Sequence, residues 1–170
     1  MKLSDLNNAS DELIFALKYS NKTKPRDVYN IGRLTKRSFY DVKELQRLLY
    51  DPDGFYKSIK FVLDLINVKN PDLFEFFAFF NYCKLEIEKV TEMETNGLSY
   101  NPSADEERAG IDRFNKFGYL TAIDSLAGGD VLKWPEIRNM EYEAAFSKLM
   151  LDKERSDFDR ELFRVQSRKH

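Results

Sequence analysis

Four groups of residues have types and spacings that could do chemistry. Asp51-x-Asp53-Gly54 opens like a calcium loop, in which alternate carboxylates supply oxygen ligands. The EF-hand pattern needs a ligand at its fifth position and glycine at its sixth, whereas Phe55 stands fifth and Gly54 fourth. The segment therefore reads as a break between helices. Gly128-Gly129-Asp130 has the glycines of a phosphate-cradling turn, yet it lacks the following Lys-Ser/Thr and follows no strand, so it reads as a helix stop and a helix start. Asp105, Glu106 and Glu107, with Asp112, could gather a divalent ion for metal-dependent hydrolysis, although acids in a first helical turn are ordinarily solvated complements of the helix dipole. Last come one cysteine, Cys83, and one histidine, His170. They exclude an internal disulfide, a zinc site of their own and any triad built on a well-placed imidazole. The expectation is a protein that is not an enzyme, with no catalytic residue, no metal and no cofactor.

The elements that would position these groups are helical throughout. Asp11 to Ser20 reads as a short helix, and residues 21–34 as a polar connector with Pro25 and Gly32. Phe39 to Tyr50 sets Val42, Leu45, Leu48 and Leu49 at helical spacing, and Phe55 to Ile66 does the same with Ile59, Val62, Leu63 and Ile66. A fourth helix is predicted from Asn70 as N-cap, with Pro71 in the first helical position, to about Glu94, where Asn96-Gly97 supplies a left-handed stop. Ser103-Ala104-Asp105-Glu106 is a capping box that opens a helix carrying Ile111, Phe114 and Phe117. Tyr119 to Ala127, Val131 to Arg138 and a long helix from Asn139 to about Gln166, with a jog near Ser156-Asp157, complete the chain. No stretch alternates like a strand. The predicted fold is an all-α, single-domain bundle of about six or seven helices with a long C-terminal helix. Its single domain, 1–170, has an N-terminal arm and connector (1–34), aromatic-rich core helices (35–97) and a C-terminal helical half (98–170).

A chain of 170 residues can bury a core without covalent staples. It has no apolar run long enough to cross a bilayer, and its first residues have no apolar signal core, so membrane partners are not expected. A formal net charge of −2 argues against general nucleic-acid binding. That total conceals segregation: residues 21–60 carry ten basic and five acidic residues, and residues 61–130 carry six basic and thirteen acidic.

Five places suggest contact with other proteins. Phe74 to Phe80 holds five phenylalanines in seven residues. Leu73, Phe76, Phe77, Phe80, Cys83, Ile87 and Val90 form one core stripe, leaving Phe74, Phe79 and the nearby Tyr82 as interface candidates. Arg33, Lys36 and Arg37 form the tightest basic cluster, suited to phosphate or to an acidic surface on a neighbouring copy. Arg160, Arg164 and Arg168 recur every four residues on the last helix, as a docking stripe or as local partners of Asp157 and Glu161. Trp134, before Pro135, anchors a short helix or an interface. On the long helix, Tyr142, Phe146 and Leu149 form one apolar patch and Phe158, Leu162 and Val165 another, so the helix is expected to pack at both ends and bridge two bodies.

The stretch Ala109-Gly110-Ile111-Asp112-Arg113-Phe114-Asn115-Lys116-Phe117-Gly118, followed by Ile123-Asp124-Ser125-Leu126-Ala127-Gly128-Gly129-Asp130-Val131-Leu132-Lys133-Trp134, resembles small helical virion proteins of tailed bacteriophages, nearest to the crAss-like group. Trp134-Pro135-Glu136-Ile137, with Met140-x-Tyr142 and the charged helix beyond, is also similar to the ends of phage tail assembly chaperones. The resemblance covers about residues 105–165, roughly a third of the chain. It implies a non-enzymatic structural subunit of the neck, tail or baseplate, or alternatively a chaperone acting transiently in tail morphogenesis. The implied partners are other phage structural proteins, in a homo-oligomer or ring within a larger assembly. The implied location is the virion, and the host cytoplasm during assembly.

Overall fold

A computed structural model describes residues 33–68 and 71–167. The helix expected at Asp11–Ser20, the cap expected at Asn70 and the interface candidate Arg168 lie outside these residues. Among the described residues the fold is all-α, with helices α1 (Phe39–Tyr50), α2 (Phe55–Ile66), α3 (Leu73–Leu98), α4 (Ala104–Arg108), α5 (Leu120–Leu126), α6 (Trp134–Asn139) and α7 (Tyr142–Ser167). Single 3-10 segments occupy Leu34–Lys36, Ile111–Phe117 and Val131–Lys133.

Helices α1 and α2 have the extents that their apolar spacing predicts, and α3 differs at both ends. The helical start lies at Leu73, where Asp72 Oδ1 accepts the N–H groups of Phe74 (2.9 Å) and Glu75 (3.2 Å). Asp72 thus caps the helix with its own side chain, and Pro71 precedes the helix instead of opening it. At the other end Asn96-Gly97 does not stop the helix, which continues to Leu98. Gly97 is no left-handed cap; it serves close approach, because a Cβ there would stand 2.5 Å from Met150 Sδ. Packing overrides the local stop signal.

The capping box forms as predicted. The Ser103 hydroxyl accepts the Glu106 N–H at 3.3 Å, and the Glu106 carboxylate accepts the Ser103 N–H at 2.8 Å. The helix it opens is short, however. Gly110 adopts φ 76°, which ends α4, and the following residues wind as a 3-10 segment that leaves Phe114 and Phe117 exposed. Gly128 (φ 65°) and Gly129 (φ 79°) make the expected stop after α5, and Asp130 Oδ1 accepts the Leu132 N–H at 3.0 Å to begin the next turn. The piece expected at Val131–Arg138 divides into a 3-10 turn and α6, with Pro135 in the first turn of α6. No jog interrupts α7 near Ser156.

The chain forms two compact units. In the unit containing Asp41–Thr91, α1 buries Val42, Leu45 and Leu48, and α2 buries Val62 and Ile66. Helix α3 buries Leu73, Phe76, Phe77, Phe80, Cys83, Ile87 and Val90, which is the predicted stripe, together with Ala78 and Phe79. Phe76 meets Phe77 edge to face (centroids 5.3 Å apart), as Phe55 meets Phe80 (6.1 Å), while Phe76 and Phe80 stack at 6.2 Å. Gln46 Nε2 donates to Thr91 Oγ1 at 2.9 Å, tying α1 to α3.

The other unit joins Thr35–Tyr40 to the chain from Glu92 onward. The Phe39 N–H donates to the Met140 carbonyl (2.7 Å) and the Tyr142 N–H to the Arg37 carbonyl (2.9 Å), so Ser38 and Glu141 make one antiparallel bridge at the start of α7. Tyr142 is fully buried there, with Phe39 stacked at 6.1 Å and Phe146 at 6.0 Å. Its hydroxyl donates to Glu94 Oε1 at 2.7 Å. Ile123, Ala127, Ile137 and Ala145 are buried in this unit as well.

Candidate interaction surfaces

The phenylalanine-rich turn of α3 separates its candidates. Phe79, which the spacing places off the core stripe, is only 6% exposed, because the buried face of α3 is wider than one stripe and includes Ala78 and Phe79. Phe74 stays on the surface at 36%. Tyr82 is half-buried, with its ring 6.1 Å from that of Phe79. Burial is the first cause that pushes its phenol above the ordinary tyrosine value, and the Glu86 carboxylate adds to it.

The basic cluster is divided. Arg33, exposed, belongs to the first unit, while Lys36 and Arg37 belong to the second. Lys36 Nζ pairs with Glu141 (2.7 Å) and Glu143 (2.6 Å), and Thr35 Oγ1 donates to Glu143 Oε1 at 2.6 Å. These carboxylates raise the Lys36 pKa, Glu141 foremost. The Lys36 charge is thus used within its own unit, where it closes the bridge between residues 35–40 and α7. Both carboxylates lie in the first turn of α7 or just before it, where negative charge also suits the helix dipole. Arg37 is half-buried. Trp134 is half-buried too, and its indole N–H is buried without a hydrogen-bond acceptor among the described residues.

On α7, Arg160 makes the predicted local pair with Asp157, which Lys153 also meets at 3.0 Å. These two cations hold the Asp157 carboxyl below its ordinary range, Lys153 first. The Arg160 guanidinium also covers the ring of Tyr100, 4.9 Å from its centroid. Tyr100 donates its hydroxyl to Glu106, which accepts the Ser103 N–H and hydroxyl as well (2.8 Å each). These donors, Tyr100 first, stabilise the ionised form and bring Glu106 down to about 2. A carboxylate of such low basicity is poorly matched to general-base work near neutral pH; its hydrogen bonds make it a tie between a capping box and a loop. Arg164 is exposed, and with Tyr100, Lys153 and Arg160 it borders an open polar cleft.

The depressed Glu106 value has a measurable consequence. Because its folded pKa lies below its ordinary value of 4.5, the stabilisation is present above that value and is lost as pH falls toward about 2. Carboxyl NMR titration is expected to find a Glu106 midpoint near 2, moving up toward 4.5 in Tyr100→Phe. An ordinary midpoint in the unaltered chain would refute the Tyr100–Glu106 bond.

The two apolar patches of α7 have different fates. Tyr142 is buried and Phe146 and Leu149 are half-buried, whereas Phe158, Leu162 and Val165 stand in solvent. Contrary to the expectation from sequence, this second apolar patch stays exposed among the described residues, while the opposite side of the same turns meets Tyr100 through Arg160. Sequence reasoning also missed the Tyr142–Glu94 and Tyr100–Glu106–Arg160 groups. Only the Glu106 half of the second was signalled, by the capping box. Among the described residues no group of three or more His, Cys, Asp or Glu side chains converges as a metal site, and none of the helices is long and apolar enough to cross a membrane. The acids at 105–107 diverge: Glu106 turns back to Ser103, and Asp105 meets Arg108 at 3.3 Å. Compared with protein-family models, curated proteins and solved structures, the chain matches none of them.

Proposed function

We propose that the chain is a non-enzymatic structural subunit of a tailed-phage particle, making protein–protein contacts in the neck, tail or baseplate. The observation that carries this reading is the far end of α7, where Phe158, Leu162 and Val165 lie exposed together on a well-formed helix. Apolar side chains grouped in this way are a surface awaiting another protein. The resemblance of residues 105–165 to small helical virion proteins supplies the particle. Segregated charge supports the same reading, since complementary patches set register between neighbouring subunits.

Mass spectrometry of purified particles tests it. A stoichiometric amount of the chain in every particle is the expected result. Presence during assembly with loss from finished particles would overturn the structural role in favour of a tail assembly chaperone. Absence from both would overturn the phage assignment.

A further inference from the structure

We propose that Met150 is a modification site: oxidation of its thioether to the sulfoxide by a peroxide loosens the seat of α7 on the end of α3 and destabilises the unit that contains both. Gly97, in the last turn of α3, and Met150, on α7, lie far apart in sequence and meet within this unit. A Cβ at residue 97 would stand 2.5 Å from Met150 Sδ, 3.3 Å from Met150 Cε and 3.3 Å from Phe146 Cζ. Unstrained contacts between such atoms begin near about 3.5 Å. The sulfur thus occupies the space that glycine leaves. Gly97 is not among the residues with positive φ, so room for the sulfur is what it supplies.

Phe146 and Met150 lie one turn apart on α7, and both close on the same point of the α3 backbone. Phe146 in turn stacks on Tyr142 at 6.0 Å, and Tyr142 on Phe39 at 6.1 Å. The Tyr142 hydroxyl returns to α3 at Glu94 Oε1 (2.7 Å). Met150 is therefore the outer end of the row of side chains that joins α7 to α3. It is half-buried, which leaves the sulfur within reach of a small oxidant.

The chemistry is an oxygen transfer. A sulfur lone pair attacks one peroxide oxygen, the O–O bond breaks, and sulfur keeps that oxygen. Its proton passes to the departing hydroxide, which leaves as water, so sulfur is oxidised as the peroxide is reduced. A flexible, apolar thioether becomes a polar sulfoxide. An oxygen on the α3 side has no room, since even a carbon on Gly97 is excluded there. An oxygen on the open side turns the contact polar and draws it toward water. In either orientation the apolar seat beside Gly97 is lost.

Two other methionines need separating from Met150: Met93 is 41% exposed, and the Met140 carbonyl takes part in the bridge to Phe39. The test therefore compares the full chain carrying Met93→Leu/Met140→Leu with the same chain carrying Met150→Leu as well, all exchanges that conserve volume. Both are treated with hydrogen peroxide, and peptide mapping by mass spectrometry locates the added oxygen. Oxidation of Met150 is expected to lower the thermal midpoint by about 5 °C or more and to quicken amide exchange at Phe39. The chain with Met150→Leu is expected to keep its midpoint. In the unaltered chain, repair by methionine sulfoxide reductases, verified by the same maps, is expected to restore the midpoint. Gly97→Ala, whose added carbon pushes the thioether outward, is expected to speed Met150 oxidation at least about threefold and to leave that of Met93 unchanged. Several results would each overturn the proposal: Met150 left intact by peroxide that oxidises Met93 completely, a midpoint unmoved by the Met150 sulfoxide, or an equal fall in the chain with Met150→Leu. So would a midpoint that stays low after repair, or an unchanged Met150 rate in Gly97→Ala.

Discussion

Tyr142→Ala is expected to destabilise the C-terminal unit by about 4 kcal/mol, the range for deleting a buried aromatic ring. The ring is fully buried, stacks on Phe39 and Phe146, and hydrogen-bonds Glu94. Its loss would open a cavity where residues 35–40 are held to α7. Tyr142→Phe keeps the ring and removes the hydroxyl, so a smaller cost of about 2 kcal/mol is expected, as for a hydrogen bond to a charged group. Urea unfolding followed by circular dichroism measures both, and amide exchange at Phe39 reads the loosening of the bridge directly. The phenol adds a pH signature. Burial, followed by the Glu94 carboxylate, raises its pKa above the ordinary 10.0. The folded state therefore keeps a proton that the unfolded chain releases, and the stabilisation is complete below pH 10.0 and declines above it. That alkaline decline is expected to be weaker in Tyr142→Phe. A cost for Tyr142→Ala below about 1 kcal/mol would mean that the ring is not in this core.

Gly54→Ala is expected to cost about 3 kcal/mol, more than the ordinary preference for glycine over alanine at a helix N-cap. The position has φ −83° and ψ −12°, which alanine adopts without strain. The obstacle is space. A Cβ at residue 54 would stand 2.0 Å from the Leu48 carbonyl oxygen and 2.9 Å from Asp51 Cβ. The first of these is backbone and cannot rotate away. The turn is itself pinned, with the Gly54 N–H donating to the Asp51 carbonyl (2.8 Å) and the Asp53 N–H to Asp51 Oδ1 (3.0 Å). Relieving the clash would shift the end of α1 or the start of α2. Thermal unfolding should show the loss, and Gly128→Ala separates the two reasons a glycine can be required. There the space is open and only φ 65° opposes alanine, so a cost of about 1 kcal/mol is expected. A neutral Gly54→Ala would show that α1 and α2 do not approach as closely as described.

Much of the fold was legible along the chain because its causes are local. Val42, Leu45 and Leu48 in α1, and Val62 and Ile66 in α2, recur at helical spacing, and the predicted bounds are those of the structure. The Ser103–Glu106 capping box and the double-glycine stop at Gly128-Gly129 depend on partners within a turn of one another. Such signals act on neighbours three or four residues away, a distance at which sequence and space coincide. The all-α class follows from the same local signals.

What only the tertiary structure decided depends on residues far apart in sequence. Asn96-Gly97 has the local chemistry of a stop, yet α3 continues because Met150 and Phe146 fill the space beside Gly97. Phe79 and Phe158 are the same residue type on two long helices, and one is buried while the other is exposed. Periodicity ranks the faces of a helix, but burial depends on what the rest of the chain brings to each face. Lys36 likewise spends its charge on Glu141 and Glu143, more than a hundred positions away. The far end of α7 follows the same rule. The sequence supplies the seven-residue spacing of Leu151, Phe158 and Val165, and only the structure shows that these side chains stay exposed, because exposure depends on what the folded chain brings to that face.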